Sequence, residues 1–113
     1  MIKPSLFEVE SERDGSHAQI AVAGELDLAT SPQLDQKIGE TLLDSVNQLT
    51  IDLSRLTFVD SSGLRLLIAL HDRAREEGWR LSLVAPSEPA RAIFQVSGAD
   101  GHLPFVDGDG SGR

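Results

Sequence analysis

The sequence predicts an α/β fold: a small mixed, mostly parallel β-sheet with packed helices, opened by an N-terminal antiparallel hairpin. Three observations carry that prediction. From residue 18 onward, short apolar runs with the period of a strand alternate with amphipathic runs of helical period, a pattern that calls for right-handed crossovers and parallel pairing. An Asp14-Gly15 turn signal separates the first two strand-like runs, which should therefore pair antiparallel. Finally, the 113 residues match the size of one domain. We expect that domain over residues 1–106, with a flexible Gly- and Asp-rich tail over 107–113 that has nothing to bury.

Each element has a local cause. Leu6 to Val9 alternates as a strand, and Ala18 to Ala23 forms a second with Ile20 and Val22 on one face; Gly15 accepts the positive φ that a tight hairpin turn demands. Thr30-Ser31-Pro32 starts a helix. Thr30 or Ser31 can cap it, Pro32 gives up an N–H that the first turn leaves unpaired anyway, and Gln33 stands at capping-box distance from Thr30. Leu34, Ile38 and Leu42, with Leu43 beside them, carry the apolar stripe to about Asp44. Leu49, Ile51 and Leu53 alternate with Thr50 and Asp52 as a strand, followed by a second apolar patch at Phe58-Val59. After Asp60-Ser61-Ser62-Gly63, a helix places Leu64, Leu67, Ile68, His71 and Arg75 on one face, widened by Leu66, Leu70 and Ala74, and Gly78 stops it. Leu81 to Ala85 is a strand. Pro86 to Pro89 starts a helix carrying Ala90, Ile93 and Phe94 that stops near Gly98, and Leu103 to Val106 is an edge strand, because Pro104 removes a ladder donor.

Composition narrows the function. Apolar residues make up 40% and charged residues 25%, a globular balance, and with aromatics at 4% the core must be aliphatic. Ten basic against 18 acidic residues give a net charge of −8, which argues against direct nucleic-acid binding and against an anionic membrane surface. The absence of Cys excludes disulfides, thiolate metal sites and cysteine nucleophiles, and fits a reducing compartment. There is no apolar run of the roughly 20 residues a membrane helix needs and no apolar h-region after Met1-Ile2-Lys3-Pro4, so a cytoplasmic protein is expected.

Enzyme readings lack parts. There is no GxSxG elbow and no P-loop. His17, His71 and His102 stand alone without metal-ligand spacing. A phospho-accepting aspartate would want an early acidic pair and a late Lys, but the lysines are Lys3 and Lys37. No catalytic, cofactor-binding or metal-ligating residue is therefore assigned.

Two constellations remain. Asp60-Ser61-Ser62-Gly63 lies between an apolar strand and an apolar helix. It reads either as an N-cap or as a Ser hydroxyl exposed beside a helix N-terminus, where added negative charge is tolerated. One Ser can cap while the other is exposed, and Gly63 is expected to leave room for another protein's backbone. Gly24-Glu25-Leu26-Asp27 ends a strand; Glu25 and Asp27 would share a side if the strand continued. Asp27 and Asp60 both fall at C-terminal strand ends, the edge where open α/β sheets place their sites, or else they are solvated turn carboxylates or caps.

These two motifs resemble those of the STAS domain, in particular the bacterial anti-sigma factor antagonists. The likeness rests on Gly24-Glu25-Leu26-Asp27-Leu28-Ala29-Thr30 followed by Leu34, and on Asp52-Leu53-Ser54 followed by Phe58-Val59-Asp60-Ser61-Ser62-Gly63-Leu64, in order and at matching distance, and it extends from about Leu6 to Val106. The resemblance implies a STAS-like mixed sheet packed with helices. It implies an anti-sigma factor serine kinase as partner, phosphorylation at Ser61 that breaks the complex and so regulates sigma-factor-dependent transcription, and a phosphoserine phosphatase that resets it. ATP and Mg²⁺ would come with the kinase, the chain itself holding no cofactor. Asp27, Asp60, Ser62, Gly63 and Arg65 would line the partner-binding surface. Arg65 departs from the pattern, since many members carry a small residue there. The competing readings are a non-switching STAS scaffold or transporter-associated module and, from another class, a small-molecule enzyme working at the Asp27/Asp60 edge.

Overall fold

A computed structural model describes residues 7–43 and 45–106. Strands β1 (Glu8–Asp14) and β2 (His17–Leu26) pair antiparallel across a Gly15-Ser16 turn, where Gly15 adopts a φ of +64°. Helix α1 (Ser31–Leu42) leads to β3 (Gln48–Val59), α2 (Ser61–Glu77) to β4 (Arg80–Val84), and α3 (Ala90–Ser97) with a 3-10 turn (Ala99–Gly101) to β5 (Phe105–Val106). The sheet order is β1-β2-β3-β4-β5, with every pair after the hairpin parallel. The expected mixed α/β architecture is thus the observed one.

Element boundaries differ from the sequence reading in three instructive places. β1 continues to Asp14, although all but Val9 of its residues are exposed. It is an edge strand held by its ladder to β2, and its run of charges masks the apolar alternation that marks an inner strand. The two apolar patches at 49–53 and 58–59 belong to one strand, β3. Register shifts between Ala21 and Ala23 and between Gly24 and Glu25 each leave an extra residue on β3. Leu53, Leu56 and Val59 consequently all point inward at a spacing of three, which breaks the period-two signal. On α2 the buried stripe is Gly63, Leu64, Leu67, Leu70 and Ala74, whereas Ile68 lies outside it, 40% exposed. The expected strand start at Leu6, the helix end at Asp44 and the 107–113 tail lie outside the described residues.

One aliphatic core joins the layers. Ile20, Val22 and Leu26 of β2, Leu49, Ile51, Leu53, Leu56 and Val59 of β3, and Leu83 of β4 meet Leu34 and Ile38 of α1 and Leu67 of α2. Phe94 of α3 closes the β5 end with an edge-to-face contact to Phe105, ring centroids 5.4 Å apart and planes at 84°. α2 ends as expected at Gly78, whose φ of 80° no β-carbon has to tolerate. Beside that end the Trp79 indole N–H donates to Glu77 and Arg73 pairs with the same carboxylate, which together hold it below the usual carboxylate range. That contribution to stability is complete above the ordinary Glu value and is lost as pH falls through the depressed one.

The core carries a direct prediction. Ile51 is fully buried in the middle strand, so Ile51→Ala should lower unfolding stability by about 2–5 kcal/mol, from lost transfer energy plus a cavity. A urea unfolding curve checks this through the midpoint at unchanged slope.

Candidate functional site

Because β2 and β3 are parallel, they finish together: Leu26 is registered with Val59, and the Asp60 N–H donates to the Leu26 carbonyl at 3.1 Å. Both chains then turn into helices at one edge of the sheet. The 27–30 segment and the 60–63 segment are therefore neighbours, as the two sequence motifs require.

Asp60 ties them together. Its backbone is extended (φ −108°, ψ −173°), the geometry of an N-cap. Oδ1 accepts from the Ser62 N–H at 2.8 Å and the Gly63 N–H at 3.2 Å, and Oδ2 accepts from the Leu28 N–H at 3.2 Å. One carboxylate thus satisfies two free donors of the α2 first turn and one of the preceding loop, each bond strengthened by its charge. With the cap supplied by Asp60, Ser61 is the first residue of α2 and is exposed, and among the described residues nothing hydrogen-bonds its hydroxyl. Ser62 is half-buried behind it.

Gly63 plays a different part from the one expected. A β-carbon there would lie 2.7 Å from Leu26 Cγ and 2.8 Å from Val59 Cγ2. The residue is buried and faces the protein's own strands, so the room it leaves is filled by Leu26 and Val59 and not by a partner's backbone.

Asp27 is folded into its own turn. Its Oδ1 accepts from the Ala29 N–H at 3.0 Å and the Thr30 N–H at 3.1 Å, while its N–H donates to Thr30 Oγ1 at 2.9 Å. Thr30 Oγ1 in turn donates to the Glu25 carbonyl at 2.7 Å. The expected Thr30 cap and the capping box with Gln33 therefore do not form: Thr30 has helical backbone angles and makes no side-chain cap bond, its hydroxyl being spent on the loop. The Ser31 hydroxyl is buried without a hydrogen-bond partner among the described residues. Glu25 and Asp27 do not share a strand face either, because β2 ends at Leu26.

The edge is completed by residues of mixed legibility. Arg65 lies exposed one turn beyond Ser61. Leu28 is 74% exposed directly beside Asp60, a feature the sequence reading passed over. Its only signal was a large apolar residue stranded between a strand end and a helix start, with no periodic element to bury it. Among the described residues no three His, Cys, Asp or Glu side chains are grouped to hold a metal ion, and no helix is long and apolar enough to cross a membrane.

Two substitutions test this geometry by thermal or urea unfolding. Asp60→Ala should cost about 1–2 kcal/mol as a lost cap, and Asp60→Asn, which keeps an acceptor oxygen, should recover most of it. Gly63→Ala should cost about 1–3 kcal/mol by overpacking against Leu26 and Val59; an unchanged midpoint would show that the helix start rides free of the sheet.

The family model described as Mlab, STAS domain, matches residues 9–107. The anti-sigma-F factor antagonist RsfB of Mycobacterium tuberculosis is 32% identical over 100 residues, which span 88% of this chain and 81% of that protein. An anti-sigma factor antagonist from Mycobacterium paratuberculosis matches in structure with a TM-score of 0.74 at 29% identity, covering 93% of this chain and 89% of its own. The Bacillus cell fate determinant SpoIIAA, solved in its phosphorylated form, gives a TM-score of 0.66 at 28% identity, with 89% of each chain covered. With its paired strand ends, aspartate-capped second helix and mixed sheet, the chain belongs to the STAS-domain family, among relatives that are anti-sigma factor antagonists.

Proposed function

We propose that this chain is a cytoplasmic anti-sigma factor antagonist that binds an anti-sigma factor serine kinase and is released from it by phosphorylation of Ser61. The observation that carries the reading is the division of labour at the α2 start. Asp60 caps the helix, so Ser61 presents at the rim a hydroxyl that no described residue engages. The relatives' names and the phosphorylated form of SpoIIAA support the reading. In this account the chain is a substrate and a ligand; the chemistry belongs to the partner.

In the transfer step, the Ser61 Oγ–H proton passes to a base of the kinase. A bond forms between Oγ and the γ-phosphorus as the bond from that phosphorus to the bridging oxygen of ATP breaks, releasing ADP. The kinase supplies ATP and Mg²⁺, and catalysis is mainly positioning and charge stabilisation. The new group adds about −1.5 to −2 charge at pH 7. The positive end of the α2 dipole offsets part of it, so α2 keeps its structure. Repulsion is concentrated at the rim, where the group stands beside the Asp60 carboxylate, whose oxygens already hold their N–H donors. At an interface, that repulsion and the cost of desolvating the phosphate oppose docking. A loss of ~3 kcal/mol weakens binding more than a hundredfold. A phosphoserine phosphatase removes the group by hydrolysis and restores the docking form.

The test is calorimetric affinity of the purified kinase for wild type, Ser61→Ala and Ser61→Asp, together with phosphosite mapping after incubation with ATP. Wild type and Ser61→Ala should bind alike, Ser61→Asp should bind at least tenfold more weakly, and the phosphate should map to Ser61. Equal affinities across all three would reject the switch and leave the non-switching module.

A further inference from the structure

We infer that Arg65 is the residue that binds the phosphate within the chain, its guanidinium pairing with phosphorylated Ser61 along the α2 surface. This rests on the proposed modification of Ser61 and goes beyond it, because it assigns a role to a second residue of the same helix face. Ser61 is the first residue of α2 and Arg65 lies four residues on; both are exposed, and residues at that spacing are neighbours on one helix face. Helical side chains lean toward the N-terminus, which aims Arg65 back at Ser61. An anion N-terminal to a cation at this spacing is also the favoured order.

Among the described residues of the unmodified chain, Arg65 has no partner to leave. Its helix neighbours at three and four residues are Ser61, Ser62, Ile68 and Ala69, none of them acidic, and among the described residues no ion pair or hydrogen bond engages its guanidinium. The same helix does form one such pair at the spacing of four: Arg73 and Glu77 meet at 3.0 Å. Phosphorylation of Ser61 supplies the missing anion on that face, and the guanidinium fork suits phosphate oxygens. The other charged groups of this edge, Glu25, Asp27 and Asp60, are all acidic, with Asp60 and one oxygen of Asp27 engaged by backbone N–H donors, so they raise the phosphate's need for a cation and offer none.

The pairing makes one covalent event change two features of the rim. It adds the phosphate, and it withdraws from solvent the one cation on the Ser61, Arg65, Ile68 stripe of α2. A partner with an acidic contact for Arg65 then loses it on phosphorylation.

The test needs no kinase. Phosphoserine is installed at position 61 of the full chain by genetic-code expansion, and the ³¹P resonance is titrated from pH 4 to 8 in wild type, Arg65→Lys and Arg65→Gln. Wild type should show a second phosphate pKa lower than that of Arg65→Gln by about 0.2–0.4 of a unit, with Arg65→Lys between them. Gln is a good helix former at an exposed site, so the variant keeps its fold, which its thermal midpoint checks. Coincident titrations of wild type and Arg65→Gln would overturn the assignment to Arg65 while leaving the kinase experiment untouched. Conversely, a shifted titration stands even where kinase affinity ignores phosphorylation.

Discussion

The arrangement of this sheet edge depends on one carboxylate. Asp60 holds three backbone N–H groups, two from the first turn of α2 and one from the loop that follows β2. Strand register brings Leu26 and Val59 side by side, but register alone does not join the segments beyond them. The Asp60 side chain does, and because it carries the charge it makes stronger bonds than a serine cap. A helix start needs some acceptor, and if Ser61 filled that role its hydroxyl would be turned into the first turn and lost to any outside enzyme. The aspartate therefore provides both the local stability and the freedom of the neighbouring hydroxyl.

Gly63 sets the other constraint. α2 sits so low on the sheet that no side chain fits between residue 63 and the Leu26 and Val59 side chains. This close approach lets the Asp60 carboxylate span from the helix to the 28 amide, since a helix raised by one methyl would draw its first turn away from the loop. The glycine that a partner-centred reading assigns to docking is thus explained by packing inside the chain. Asp27 follows the same logic: its Oδ1 is engaged by its own loop, together with Thr30. Asp27, Thr30, Asp60 and Gly63 of the two motifs are thus architectural, and they leave Ser61, Arg65 and the exposed Leu28 to face outward.

What the sequence made legible follows the physics of each signal. Periodicity located α1, α2, β2 and β4, because each buries one face and so repeats its apolar residues at a fixed interval. Gly15, Gly78 and Gly98 marked chain reversals through the positive φ each adopts. The misses have causes of the same kind. The sequence pattern shows too little of β1 because an edge strand needs a ladder and no core face, and it divides β3 in two because two bulges reset its inward positions. The Thr30 cap does not form because a cap must accept from the first turn, whereas the Thr30 oxygen accepts from the Asp27 N–H and its backbone is already helical. Sequence could show that Asp60, Ser61 and Ser62 competed for one cap; only geometry shows that the aspartate wins. Leu28 escaped because an exposed apolar residue has no periodicity to betray it.

The separation of cap from acceptor bears on the kind of switch this fold can host. A phosphate placed on a capping residue would remove the cap and unravel the first turn, coupling the signal to local unfolding. Here the cap and the modified hydroxyl belong to different side chains, so under the proposed switch the three N–H bonds to Asp60 persist while the charge outside them changes. The chain already carries a net charge of −8, so one more phosphate alters the global field little, and screening confines its effect to within about 10 Å. A partner must then read the change at the rim itself. That places the discriminating power in the side chains that share the stripe with Ser61, where a guanidinium whose helix neighbours include no acid is the group best able to respond.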